Sequence, residues 1–307
     1  MLIELIATTR KSCAEALESA ELKRAARELE RAGTARNSWL SLVEHYWKNR
    51  RFPEDVAPRL QSTEGDFAAQ RLLLLQACMR SLEKLPDARL APSVKTMMCE
   101  EYAFLGKPEK NWLHLLKPAS PTFRAFVGLS LLARFPCGQL DWEVSGIPRS
   151  WLLKVPRLDL PKILNQLVLR GSGFSPYFVP HTGVRRRPFI LLEAEEKRAF
   201  FRMAQSMELQ PEIKGIVRSS WLACGENHRI SPHLAWIPKL IVENGGMESN
   251  IGASPEDAGF LIGSPVRKKL YESGEWKPKE GLLIWPRDAV LAWAARHPEL
   301  SDSAGGL

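Results

Sequence analysis

No stretch of this chain approaches the ~18–20 uncharged apolar residues that a membrane-spanning helix needs; the leucine run Leu72 to Leu75 is only one turn of helix. Cysteine is scarce and unpatterned. Cys13, Cys78, Cys99, Cys137 and Cys224 are odd in number, widely separated and never in a C-x-x-C pair, so neither a disulfide framework nor a zinc knuckle is expected. The first thirty residues alternate acidic and basic positions and lack the basic start, apolar middle and small-residue cleavage site of a secretory signal. The expected setting is a soluble protein of the cytoplasm with reduced, buried thiols.

Several chemistries are missing with their motifs. There is no G-x-x-x-x-G-K-[ST] and no G-x-G-x-x-G after a strand, so P-loop hydrolysis and Rossmann dinucleotide binding lack their backbone cradle. H-R-D, D-F-G and the G-x-S-x-G elbow are absent, which removes kinase and α/β-hydrolase readings. Without H-E-x-x-H, His181, His228 and His233 have no zinc-type spacing, and no metal is expected.

What is present is ordinary globular material: 307 residues, 45% hydrophobic and 25% charged, enough for two domains with their own cores. Residues 1–138 read as a helical domain. Apolar positions recur at three and four over 2–32, with Gly33 as the stop, and again over 35–50, 66–84, 93–105 and 122–135. A stretch rich in proline and glycine, 139–173, reads as a junction holding one helix, Leu160 to Arg170.

From 174 to 300 the pattern alternates between short apolar runs and helical periods, ahead of a disordered tail at 301–307. PYFVP, RRPFILLE, EIKGIVRSSWLAC, DAGFLIG and GLLIWP read as strands. Helices are expected over 193–209, over 231–244 with Ser231 as its cap, over 264–274 from Ser264 to Gly274, and over 287–297. The fold class is therefore α+β in two parts: an N-terminal all-α helical region, then a C-terminal layered α/β domain with a mixed sheet covered by helices.

Charge is uneven. The net charge is +8; residues 101–200 hold 15 basic and 8 acidic side chains, hence +7, centred on Arg185, Arg186 and Arg187. No nucleic-acid-binding motif accompanies them, so a local anion site, with Arg185 and Arg187 on one strand face, is preferred to a nucleic-acid surface. His181 follows an apolar strand, while His228 and His233 flank a helix start in CGENHRISPH; all three are candidate catalytic acids or bases. Ser219, Ser220 and Trp221 end a buried strand, where ligands collect in open sheets, and are candidate substrate-binding groups.

The order strand, helix, strand, helix, strand from about Arg187 to Ile262 resembles the second half of GNAT-type acyltransferases. That resemblance implies an acyl-CoA whose pyrophosphate is received at a helix N-terminus. The family's Arg/Gln-x-x-Gly-x-Gly/Ala turn would fall between Leu192 and Lys197, where this chain has LEAEEK, and glutamates there repel an anion. The best functional expectation is a small-molecule enzyme, transferase-like, acting on an acidic or acylated substrate at the strand tips of the C-terminal domain. The competing expectation is a non-catalytic interaction or regulatory protein whose helical half binds a protein partner.

Overall fold

Leu72, Leu73, Leu74 and Leu75 are all buried, at 2% exposure or less. Four consecutive buried positions cover the whole circumference of a helix, so this one must lie inside a helical bundle. In the computed structural model it does. The structure describes residues 1–31, 33–57, 67–107, 116–118, 120–169, 173–183, 192–254, 261 and 264–302. The chain is mixed helix and sheet, and it divides into two compact units, Met1–Glu143 with Thr182–Ile190, and Val144–His181 with Leu191–Leu307.

In the first unit the leucine run belongs to α4 (Ala68–Lys84), around which pack α1 (Leu2–Leu17), α2 (Ala20–Arg31), α3 (Trp39–Asn49), α5 (Pro92–Gly106) and α6 (Pro121–Ser130). Side chains tie helix to helix: Tyr102 Oη donates to Leu129 O at 2.7 Å and Ser81 Oγ to Ser130 O at 2.7 Å. The single helix expected over 2–32 is two. Its apolar period runs on through the break, but the Ser19 hydroxyl accepts from Leu22 N at 3.4 Å and restarts the helix as an N-cap.

After α6 come β1 (Arg134–Pro136) and β2 (Leu140–Ser145), an antiparallel hairpin with Phe135 opposite Trp142. The expected helix over 122–135 thus ends at Ser130, and the hairpin was not foreseen. Leu140, Trp142 and Val144 do alternate, a period-two signal hidden behind Pro136 and Gly138.

The second unit begins with α7 (Leu160–Leu164), shorter than expected because Asn165–Leu169 widens into a π-helical turn. Then follow β3 (Tyr177–Thr182), α8 (Glu193–Glu208), β4 (Gly215–Ser220), α9 (Trp236–Glu243), β5 (Met247–Ala253), α10 (Pro265–Glu272), β6 (Lys279–Pro286) and α11 (Arg287–Ala295). The strands lie in the order β3-β4-β6-β5, with β3 and β4 parallel and the other pairs antiparallel. One face buries Tyr177, Val217, Ile251, Leu282 and Ile284. On α8, Phe200 meets Trp285 of β6 edge-on, ring centres 5.7 Å apart, and Trp285 meets Trp293 of α11 at 5.1 Å.

Two sequence expectations need correction here. The strand after α9 is β5 at 247–253, an edge strand whose apolar content is low because only one neighbour and one face bury it. DAGFLIG lies mostly outside the described residues, as do Arg186 to Leu191 of RRPFILLE. Ser231 does not cap a helix: its hydroxyl accepts from Arg267 Nη1 at 3.1 Å, and α9 starts only at Trp236. Ser264 does cap α10, accepting from Arg267 N at 3.3 Å, and Gly274 follows that helix with φ +75°.

Candidate functional site

The parallel pair β3 and β4 is joined only at its start. Lys214 N donates to Pro176 O at 2.8 Å and Phe178 stands opposite Ile216. Beyond that bridge, 179–182 and 217–220 have no register with each other among the described residues, whereas β4 remains paired with β6 to its last residue, Ser220 opposite Gly281. The carboxyl ends of β3 and β4 therefore border an interruption in the ladder, and backbone N–H and C=O groups at such an interruption call for other partners.

The turn that follows β4 is held down firmly. Asn227, 1% exposed, donates through Nδ2 to Trp221 O and to Lys279 O, both at 2.7 Å, and accepts from Lys279 N at 3.0 Å. One buried amide thus saturates three backbone groups. Gly281 lies so close to this turn that a Cβ would overlap the Ala223 carbonyl. Gly225 N donates to Glu248 Oε1 at 2.6 Å.

Polar side chains gather at the same strand ends. Ser219 Oγ donates to Glu280 Oε1 at 2.5 Å and Ser254 Oγ to Glu280 Oε2 at 3.0 Å, so one carboxylate ties β4, β6 and the end of β5. Ser220 carries a buried hydroxyl oxygen with no hydrogen-bond partner among the described residues. Arg218, two residues earlier, is paired with Glu196 in the first turn of α8. Trp221 is 7% exposed, and the Arg267 guanidinium lies over its ring at 5.0 Å. Burial lowers the Arg267 pKa from its usual value. The hydrogen bond from Lys279 holds Glu226 below the ordinary carboxylate range.

The candidates named from sequence are distributed as follows. His181 is half-buried near the end of β3, and Ser219, Ser220 and Trp221 occupy the end of β4 and the turn beyond it. His228 is nearly buried in that turn, its Nε2 3.3 Å from Leu222 O, and His233 is exposed in the turn before α9. Arg185 and Arg187 lie outside the described residues. Among the described residues no group of three or more His, Cys, Asp or Glu side chains is arranged to hold a metal, and no helix is long and apolar enough to cross a membrane.

Sequence reasoning missed Asn227, Glu280 and the Glu196–Arg218 pair. Their partners are 52, 61 and 22 residues away in sequence, and no local pattern marks them.

No protein-family model and no curated protein sequence matches the chain. Among solved structures, the chain is similar to an acyltransferase crystallised in complex with decanoyl-CoA, at 13% identity and a TM-score of 0.36, over 85% of this chain and 99% of that one. A likeness at that level does not establish a shared fold.

Proposed function

We propose that the second unit is a transferase domain that takes a CoA thioester at the carboxyl ends of β3 and β4. The observation that carries this reading is the single bridge between the two strands. An extended chain with amide groups can complete an interrupted ladder by main-chain hydrogen bonding, and such a chain links the nucleotide of CoA to its thioester. Strand tips of an open sheet are also where substrates collect.

In the proposed reaction an acceptor amine or hydroxyl attacks the thioester carbonyl. The tetrahedral intermediate collapses, the C–S bond breaks, and CoA leaves as a thiol carrying the proton lost by the acceptor. His181 serves as the proton carrier, with His228 and His233 as the other candidates, since a neutral imidazole can take a proton near neutral pH. Ser219 and Ser220 orient the thioester and Trp221 walls the site.

The test is titration with CoA thioesters of graded acyl length, read by thermal shift and calorimetry. A binding thioester at a hundredfold excess over its dissociation constant should stabilise the fold by about 2.7 kcal/mol. If no thioester in the series shifts the melting temperature or releases heat, the reading is overturned.

A further inference from the structure

The first unit contains a cavity of about 810 Å³ bordered by α1, α2, α3 and α4, a size that suits a small molecule. Its apolar lining includes Trp39, Leu72 and Ala26, all buried, and the half-buried Leu17. The Trp39 indole N–H is already committed to Thr34 O at 3.3 Å, which leaves the ring as apolar surface. Around this lining the charges are arranged by helical spacing. Lys11, Ala14 and Glu15 form one face of α1, continued by Glu18 at its C-cap, and Lys23, Ala26 and Arg27 one face of α2.

The charges do not cancel. Glu18 is matched by Lys23 at 2.7 Å, Glu15 by Lys107 at 3.9 Å, and Arg36, whose guanidinium lies 5.9 Å over the Trp39 ring, by Glu30. Lys11 and Arg27 have no ion pair among the described residues. The hydrogen bond from Lys23, with a contribution from Arg36, holds the Glu18 carboxyl below its usual range. An apolar cavity with two uncompensated cations at its edge suits a ligand with a hydrophobic body and one negative end.

We infer that this cavity binds a monomeric amphipathic carboxylate, with its aliphatic body against Trp39, Leu72, Leu17 and Ala26 and its carboxylate against Lys11 and Arg27. This site is separate from the strand-end site and does not depend on the transferase reading.

The test is calorimetric titration of the full chain with dodecanoate below its micellar concentration, beside dodecyltrimethylammonium, which has the same tail and the opposite charge. Dodecanoate should bind saturably at one site and the ammonium compound should not. Removing both cations, Lys11→Gln with Arg27→Gln, should weaken dodecanoate about tenfold or more, as expected for the loss of charge-assisted hydrogen bonds. Filling the cavity by Ala14→Trp should abolish binding. Lys11 and Arg27 are exposed and Ala14 is only half-buried, so both variants should keep the wild-type helix content and melting temperature. If Ala14→Trp fails to fold, the charge variant decides. Absent dodecanoate binding, equal binding of the ammonium compound, or binding that survives removal of both cations overturns the inference. So does association with anionic-lipid vesicles alone, which would assign the cations to a membrane surface.

Discussion

Arg218 on β4 and Glu196 on α8 form an ion pair inside the second unit, with side-chain exposures of 5% and 0%. Removing one member strands the other charge away from water. Glu196→Ala should therefore cost about 3–5 kcal/mol. Replacing both together, Glu196→Leu with Arg218→Met, should recover most of that loss. Chemical denaturation of Glu196→Leu, Arg218→Met and the double variant measures the coupling; purely additive losses would show that the pair is not the unit of stability.

Asn227 offers a second test, because one side chain serves Trp221 O, Lys279 O and Lys279 N. Asn227→Leu leaves these groups unsatisfied next to a buried position and should cost about 2–4 kcal/mol. A loss below about 1 kcal/mol by denaturant titration would mean that water replaces the amide.

At Gly281 the constraint is space. The residue presses against the backbone of Ala223 and Cys224, which cannot rotate away as a side chain could. Gly281→Ala should destabilise by about 1–3 kcal/mol through overpacking. Unchanged thermal stability would show that the turn after β4 shifts freely.

The thiols predict the alkaline limb of the stability curve. Burial pushes the pKa of Cys13 and of Cys99 from an ordinary 9.0 up to about 11. Between these values the unfolded chain ionises first, which favours unfolding. Stability is therefore expected to hold below about pH 9 and to fall as the pH rises from 9 towards 11. The Cys13→Ala, Cys99→Ala variant should show a shallower decline over that interval in pH-dependent melting; an identical slope would remove these thiols as the cause.

Ser220 separates stability from binding. Its buried hydroxyl has no partner among the described residues, so Ser220→Ala should leave the melting temperature nearly unchanged or slightly raised. The same change should weaken binding of a CoA thioester if the hydroxyl orients it. A clear loss of stability would instead mark the hydroxyl as a structural bond, and wild-type thioester affinity would remove it from the proposed site.

Legibility in the sequence followed the strength of local signals. The long α4, α5 and α8 have strong apolar periods and proved helical close to their expected limits. Ser264 and Gly274 marked the ends of α10 through capping chemistry that acts within one turn. Edge strand β5 was overlooked because its partner β6 is distant along the chain and one-sided burial leaves it few apolar residues, whereas the local β1–β2 hairpin was overlooked because Pro136 and Gly138 mask its alternation. Of the candidate site, the positions of His181, Ser219, Ser220 and Trp221 at strand ends could be read from the runs that precede them. The role of Glu280 could not.

The order of amino acids alone determined where most helices lie, that Ser264 and Gly274 bound α10, which thiols and indoles seek the interior, and which nucleotide-binding loops are absent. All of these depend on interactions spanning a few residues or on composition. Only the tertiary structure decided that β3 and β4 part after one bridge, that Glu280 gathers two hydroxyls, that Arg218 meets Glu196, and that Lys11 and Arg27 share a cavity with Trp39. Each of these joins groups on different elements, and their meeting is set by how the elements pack.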